Sequence, residues 1–113
     1  MKAIKAIIQP HMLSNVVRAL HALPHFPGFT ITDARGQGRG RGAGGSFKVT
    51  EDDIDYHRST VLEIVCSDSL VASIADAIRQ AAHTGRAGDG IITVGSLDGV
   101  LRIRSDEADD DAV

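Results

Sequence analysis

The sequence predicts an α+β sandwich whose elements run β-α-β-β-α-β. Three observations lead there. Segments around 14–23 and 68–83 carry apolar residues at helical spacing, and short β-prone segments flank both of them. One long glycine-rich break also divides the chain into two halves of the same strand-helix-strand order. A doubly wound parallel sheet needs more than two helices, so a four-stranded antiparallel sheet with both helices on one face is the better match.

Residues 2–8, KAIKAII, are short and apolar and stop before Pro10, as a buried strand does. Ser14 offers a helix cap, and Val16, Ala19, Leu20 and Leu23 follow on one helical face. Pro24 and Pro27 end that helix, with Gly28 in a turn. Residues 29–35, FTITDAR, read as the second strand. Six of the ten residues 36–45 are glycine, and the acidic 51–55 stretch follows, giving a loop of some 20 residues with no regular element. Residues 59–66, STVLEIVC, form a third strand with Thr60, Leu62 and Ile64 on one face and Val61, Glu63 and Val65 on the other. Asp68 or Ser69 starts the second helix, whose apolar face is Val71, Ile74, Ala75, Ile78 and Ala82. A second glycine-rich loop occupies 84–90, and residues 91–94 and 99–104 supply the last strand material. Two helices cover one sheet face only, so the other calls for a partner subunit.

Length and charge narrow the function. A chain of 113 residues holds one domain, spanning 1–113. The net charge of −3 hides an acidic tail, 105–113, that contains Asp106, Glu107, Asp109, Asp110 and Asp111. The rest carries 12 basic against 10 acidic residues, too even for a nucleic-acid binder, and 4% aromatics leave no base-stacking platform. No stretch has the roughly 18 apolar residues of a membrane span, and no secretory signal opens the chain. Cys66 is the single cysteine, which excludes CxxC chemistry and a disulfide framework. These features place the chain in the cytoplasm.

Three segments carry chemistry. Gly36-Gln37-Gly38-Arg39-Gly40-Arg41-Gly42 combines exposed amides with guanidiniums, as an anion site does, yet it lacks the GK[ST] of a phosphate-binding P-loop and suits a mobile linker equally. Thr84-Gly85-Arg86-Ala87-Gly88-Asp89-Gly90 offers a hydroxyl, amides and an arginine, with more glycine than a helix cap needs. Arg102-Ile103-Arg104, read as strand, puts two guanidiniums on one face, where they repel unless an anion joins them. A solvated edge, or pairing with the acidic tail, would also account for that pair.

Together, in order and spacing, these segments resemble the PII signal-transduction family over nearly the whole chain, in the manner of a divergent PII-like member. The opening MKAIKAIIQP is similar to the family's first strand, Gly36-Gln37-Gly38-Arg39 to the start of its long T-loop, Thr84–Gly90 to its TG(K/R)xGDG signature, and Val100–Arg104 to its two-arginine ending. The resemblance implies a ferredoxin-like sandwich assembled as a homotrimer. It implies three intersubunit clefts for an adenine nucleotide effector (ATP, ADP or AMP), with Mg accompanying ATP. It further implies a T-loop, 36–56, that docks a transporter or enzyme. On this basis the nucleotide-binding residues are Thr30, Gly38, Arg39, Glu63, Ile64, Thr84, Gly85, Arg86, Gly88, Asp89, Gly90, Arg102 and Arg104. Departures matter. Gly40 stands where the family has a glutamine that helps hold metal and 2-oxoglutarate, which argues against 2-oxoglutarate sensing. Ile91 replaces the lysine after GDG, and Ser59 another lysine beyond the T-loop, with Arg58 next door. Each lost charged hydrogen bond is worth roughly 1.5–3 kcal/mol, so weaker ATP binding follows. Asp52 falls near the family's T-loop tyrosine, and Tyr56 is a poor replacement.

The remaining signals are weak. Five histidines lack HxH or HExxH spacing, and Glu51, Asp52, Asp53 and Asp55 lack the EF-hand pattern, so both sets read as solvated surface. No nucleophile-base grouping stands out, so no catalytic role is expected. A metal-responsive or metal-binding trimer linked to metal transport, with weak nucleotide binding, is the competing reading.

Overall fold

A computed structural model describes residues 1–37 and 56–113 of the chain. The elements in order are β1 (Lys2–Ile8), α1 (Leu13–His21), β2 (Thr30–Gly36), β3 (His57–Cys66), α2 (Val71–Ala82) and β4 (Gly90–Ser96). Short 3-10 turns precede both α-helices, at Pro10–Met12 and Asp68–Leu70, and another, Asp109–Ala112, lies in the tail. The strands form one antiparallel sheet in the order β2-β3-β1-β4. This is the ferredoxin-like arrangement of the resemblance.

Strand alternation decides which residues enter the core. Ile4, Ala6 and Ile8 of β1 and Thr60, Leu62, Ile64 and Cys66 of β3 are buried on the helix side. They meet Val16 and Leu20 of α1 and Ile74, Ile78 and Ala82 of α2. Burial also pushes the Cys66 thiol pKa up, which keeps it protonated and inert. Among the described residues, no helix packs on the opposite face. Register places Thr30, Glu63, Lys5 and Thr93 in one row across it, and Thr32, Val61, Ile7 and Ile91 in the next. Ile91 is 59% exposed.

Several expectations need correction. Ser14 lies inside α1 rather than capping it; Pro10 pre-sets the 3-10 turn from which the helix grows, and no side chain caps its start. Likewise Asp68 and Ser69 belong to a 3-10 turn, and α2 proper begins at Val71. Leu23 follows α1, which ends at His21. The second strand runs through Gly36, so the expected loop starts one residue later. Residues 99–104 form no strand. Leu101 makes an isolated bridge to Ala108, and the Arg102 amide donates to the Glu107 carbonyl at 2.8 Å. The chain folds back on its own tail there, because Asp106 and Asp109 take positive φ of 58° and 53° and turn it. Ile103 consequently points outward, 97% exposed, rather than into a sheet face.

Candidate functional site

The 84–90 loop leaves α2 where His83 becomes extended and enters β4 at Gly90. Gly90 has φ +108° and sits so close to β1 that a Cβ would fall 1.8 Å from the Ile7 carbonyl oxygen. Only glycine permits this junction. Asp89 holds the loop closed. Its carboxylate accepts from the Thr84 amide at 2.8 Å, the Gly85 amide at 3.0 Å and the Thr84 hydroxyl. These bonds, the Thr84 hydroxyl first, hold its pKa below the usual carboxylate value. The Arg86 amide donates to Thr84 Oγ1 at 3.2 Å. The hydroxyl and the first amides of the loop therefore embrace the chain's own carboxylate. An incoming anion would meet the Arg86 side chain and the glycines that follow.

A second group of expected residues gathers elsewhere. Thr30 and Glu63, paired across β2 and β3, line a groove of about 340 Å³ with Pro27, Gly28, Phe29, Val65, Arg102 and Val113. Glu63 also faces Lys5 across the β1–β3 pair at 3.8 Å, an exposed contact of little energetic weight. Arg102 enters the groove from the folded-back tail, and its Nε donates to the Ala112 carbonyl at 2.9 Å.

Within one chain these two groups do not meet. Thr30 is on β2 and Gly90 on β4, the opposite edges of the sheet. Three strand spacings, roughly 14 Å, lie between these two strands. Arg104 lies in the exposed turn beyond Arg102. Ile64 is 1% exposed on the helix side, so its side chain belongs to the core and cannot pack against a base. Strand alternation likewise places Ile64 on the face opposite Glu63, and the structure follows the alternation. Gly38, Arg39 and most of the 36–56 loop lie outside the described residues.

Sequence reasoning missed several contributors: Pro27, Gly28, Phe29 and Val65 in the groove, and two that come from far along the chain. Gln9 Nε2 donates to Asp89 Oδ1 at 3.5 Å and flanks Gly88. Val113 joins the groove from the end of the tail. Both depend on long-range register that no local pattern carries. Among the described residues, no group of three or more His, Cys, Asp or Glu stands together to hold a metal, and no helix is long and apolar enough to cross a membrane.

Comparison with known proteins decides the family. The profile for nitrogen regulatory protein P-II matches residues 1–107. The chain is 43% identical to the nitrogen regulatory protein P-II of Azospirillum brasilense over 113 residues, the whole of both chains. With the same full coverage it is 41% identical to that of Rhodospirillum rubrum and 39% to that of Klebsiella oxytoca. The chain belongs to the nitrogen regulatory protein P-II family. As a P-II family protein it is a signalling regulator, and the metal-responsive reading gains nothing from either the fold or these relatives.

Proposed function

We propose that this P-II family chain is a non-catalytic homotrimeric regulator that senses adenine nucleotides and controls a target transporter or enzyme through the 36–56 loop. One observation carries the reading. The residues suited to a nucleotide fall into two half-sites on opposite edges of one sheet, the groove of Thr30, Glu63 and Arg102 and the Asp89-clasped 84–90 loop. A head-to-tail contact repeated around a closed ring brings one chain's groove to its neighbour's loop. The same assembly covers the helix-free face around Ile7 and Val61 and leaves Ile91, on the edge strand β4, at the mouth of the cleft. In the cleft, Thr30 and Glu63 offer polar groups to the nucleoside, while Arg86, Arg102 and Arg104 supply charge for phosphates. ATP, ADP and AMP are the effectors, with Mg accompanying ATP. Gly40 and Ile91 in place of polar family residues disfavour 2-oxoglutarate and weaken the hold on distal phosphates.

The test is calorimetry with ATP, ADP and AMP, alongside light scattering. Wild type should scatter as a trimer and bind at least one of the three. Arg102→Ala should bind at least about tenfold more weakly while keeping its mass, since a charged hydrogen bond of roughly 1.5–3 kcal/mol is lost. A monomer at micromolar concentration, or no binding at millimolar nucleotide, would refute the reading.

A further inference from the structure

The tail that supplies Arg102 also occupies it. Residues 100–113 fold into a small closed unit. The Asp109 amide donates to the Val100 carbonyl at 2.8 Å, and the Asp106 amide to the Arg102 carbonyl at 3.0 Å. Val100 in turn donates to Asp109 Oδ1 at 3.3 Å. The unit delivers Ala112, 4% exposed, to the protein surface, where its carbonyl accepts from Arg102 Nε. Val113 then lies in the groove beside Thr30 and Glu63. From Asp106 to Asp111 the same segment carries five acidic side chains.

We propose that residues 106–113 are an internal competitor of the nucleotide. Their end, Ala112 and Val113, docks at the Thr30–Glu63–Arg102 groove in the free protein and must lift away for a phosphate-bearing ligand to take the Arg102 side chain. The inference rests on the nucleotide reading above. Two properties suit the tail to this role. Its contact with the Arg102 side chain is a neutral carbonyl, a weaker acceptor than a phosphate oxygen, so the exchange favours the ligand once it arrives. Its turns also hold two aspartates at positive φ, a conformation that costs free energy, and apart from Ala112 its side chains are exposed. A segment with so little burial opens locally at small cost. Until it opens, its carboxylates repel an approaching polyphosphate, more strongly the higher the ligand's charge.

The experiment compares wild type with two variants by calorimetry using ATP and AMP. One variant lacks residues 106–113. The other, Ala112→Phe, keeps the full chain but places an uncharged side chain too large for the buried Ala112 position. Circular dichroism and light scattering check that each folds and assembles as wild type does. Both variants should bind ATP about five- to tenfold more tightly than wild type, the range a single intramolecular hydrogen bond and its strain would mask. The gain for AMP should be smaller. If wild type binds ATP and neither folded variant binds it more tightly, the tail does not compete, and the nucleotide reading stands without it. If no protein binds either nucleotide at millimolar concentration, the nucleotide reading fails and the tail proposal falls with it.

Discussion

The backbone amide of Thr84 donates to the Asp89 carboxylate at 2.8 Å, closing the 84–90 loop on itself. The signature that reads as a phosphate cradle is in this respect a self-filled one, with Asp89 as the anion. Asp89→Asn keeps the shape but removes the negative charge and replaces one acceptor oxygen by an NH2 donor. Hydrogen exchange at the Thr84 and Gly85 amides should quicken in the variant, and nucleotide affinity should fall with the loss of loop order. Unchanged exchange at both amides would mean the loop is held by something else.

Acid should mimic that substitution, with a defined sign. Hydrogen bonds from the Thr84 hydroxyl, then from the Thr84 and Gly85 amides, depress the folded pKa of Asp89. A group with a depressed folded pKa adds stability above its unfolded value, about 3.9 for aspartate, and loses it as pH falls through the folded value. Protection of the Thr84 and Gly85 amides should therefore be flat from neutral pH down to about 5 and collapse only below the ordinary aspartate range. A collapse already complete above pH 5 would mean that a group other than Asp89 controls the loop.

Gly90→Ala should be far more damaging than Gly28→Ala. Both glycines have positive φ, but a Cβ at Gly28 meets nothing within 4 Å, while at Gly90 it collides with the Ile7 carbonyl. Gly28→Ala carries backbone strain alone, about 1 kcal/mol. At Gly90 the β1–β4 pairing itself must give way, at a cost of about 3 kcal/mol or more. Urea unfolding of the two variants gives the comparison, and equal midpoints would contradict it.

The fold was largely legible because each of its strands and helices is written locally. The alternation in STVLEIVC assigned Thr60, Leu62 and Ile64 to one face and Glu63 to the other, and the structure agrees. Helical spacing likewise found Ile74, Ile78 and Ala82. Legibility ended where long-range contacts override local pattern. Arg102-Ile103-Arg104 has the alternation of a strand, yet no neighbouring strand pairs with it among the described residues, and the tail captures it through Glu107 and Ala112. Ser14 has the chemistry of a cap, but the turn set up by Pro10 starts the helix before Ser14 is reached. For the site, the resemblance named the 84–90 loop, Thr30 and Glu63, and the structure pairs the last two across β2 and β3. The resemblance did not reveal that Asp89 would satisfy the loop's own donors, nor that Gln9 would brace it.

Ile64→Val separates core from site. The side chain is 1% exposed and packs with Leu62, Ile74 and Ile78 in the helix-side core. Removing one methylene there should cost about 0.5–1.5 kcal/mol of stability, read by urea denaturation. Adenine-nucleotide affinity should stay within about twofold, an energy change well below 1 kcal/mol. A large affinity loss at preserved stability would return Ile64 to the binding surface.

Ile91→Lys tests how much the missing ammonium matters. Residue 91 follows Gly90 directly, and its register with Ile7 points it to the helix-free face, away from the core. At 59% exposure within the chain, the isoleucine contributes little packing to the monomer, so the substitution should leave the fold intact. A lysine stem from that position can carry its charge back toward the mouth of the 84–90 loop, where distal phosphates would lie. Attraction between opposite charges grows with the charge of the ligand, so ATP should gain about three- to tenfold in affinity and AMP much less. Ile91→Glu supplies the opposite sign at the same place and should weaken ATP more than AMP. Calorimetry on the three proteins, at matched ionic strength because exposed charges are screened, reads both effects. Light scattering guards against a different cause: if residue 91 is sealed between subunits, both charged variants lose assembly mass together. A uniform gain for all nucleotides with Ile91→Lys, or gains of the same sign with lysine and glutamate, would show that the charge at 91 does not reach the distal phosphates.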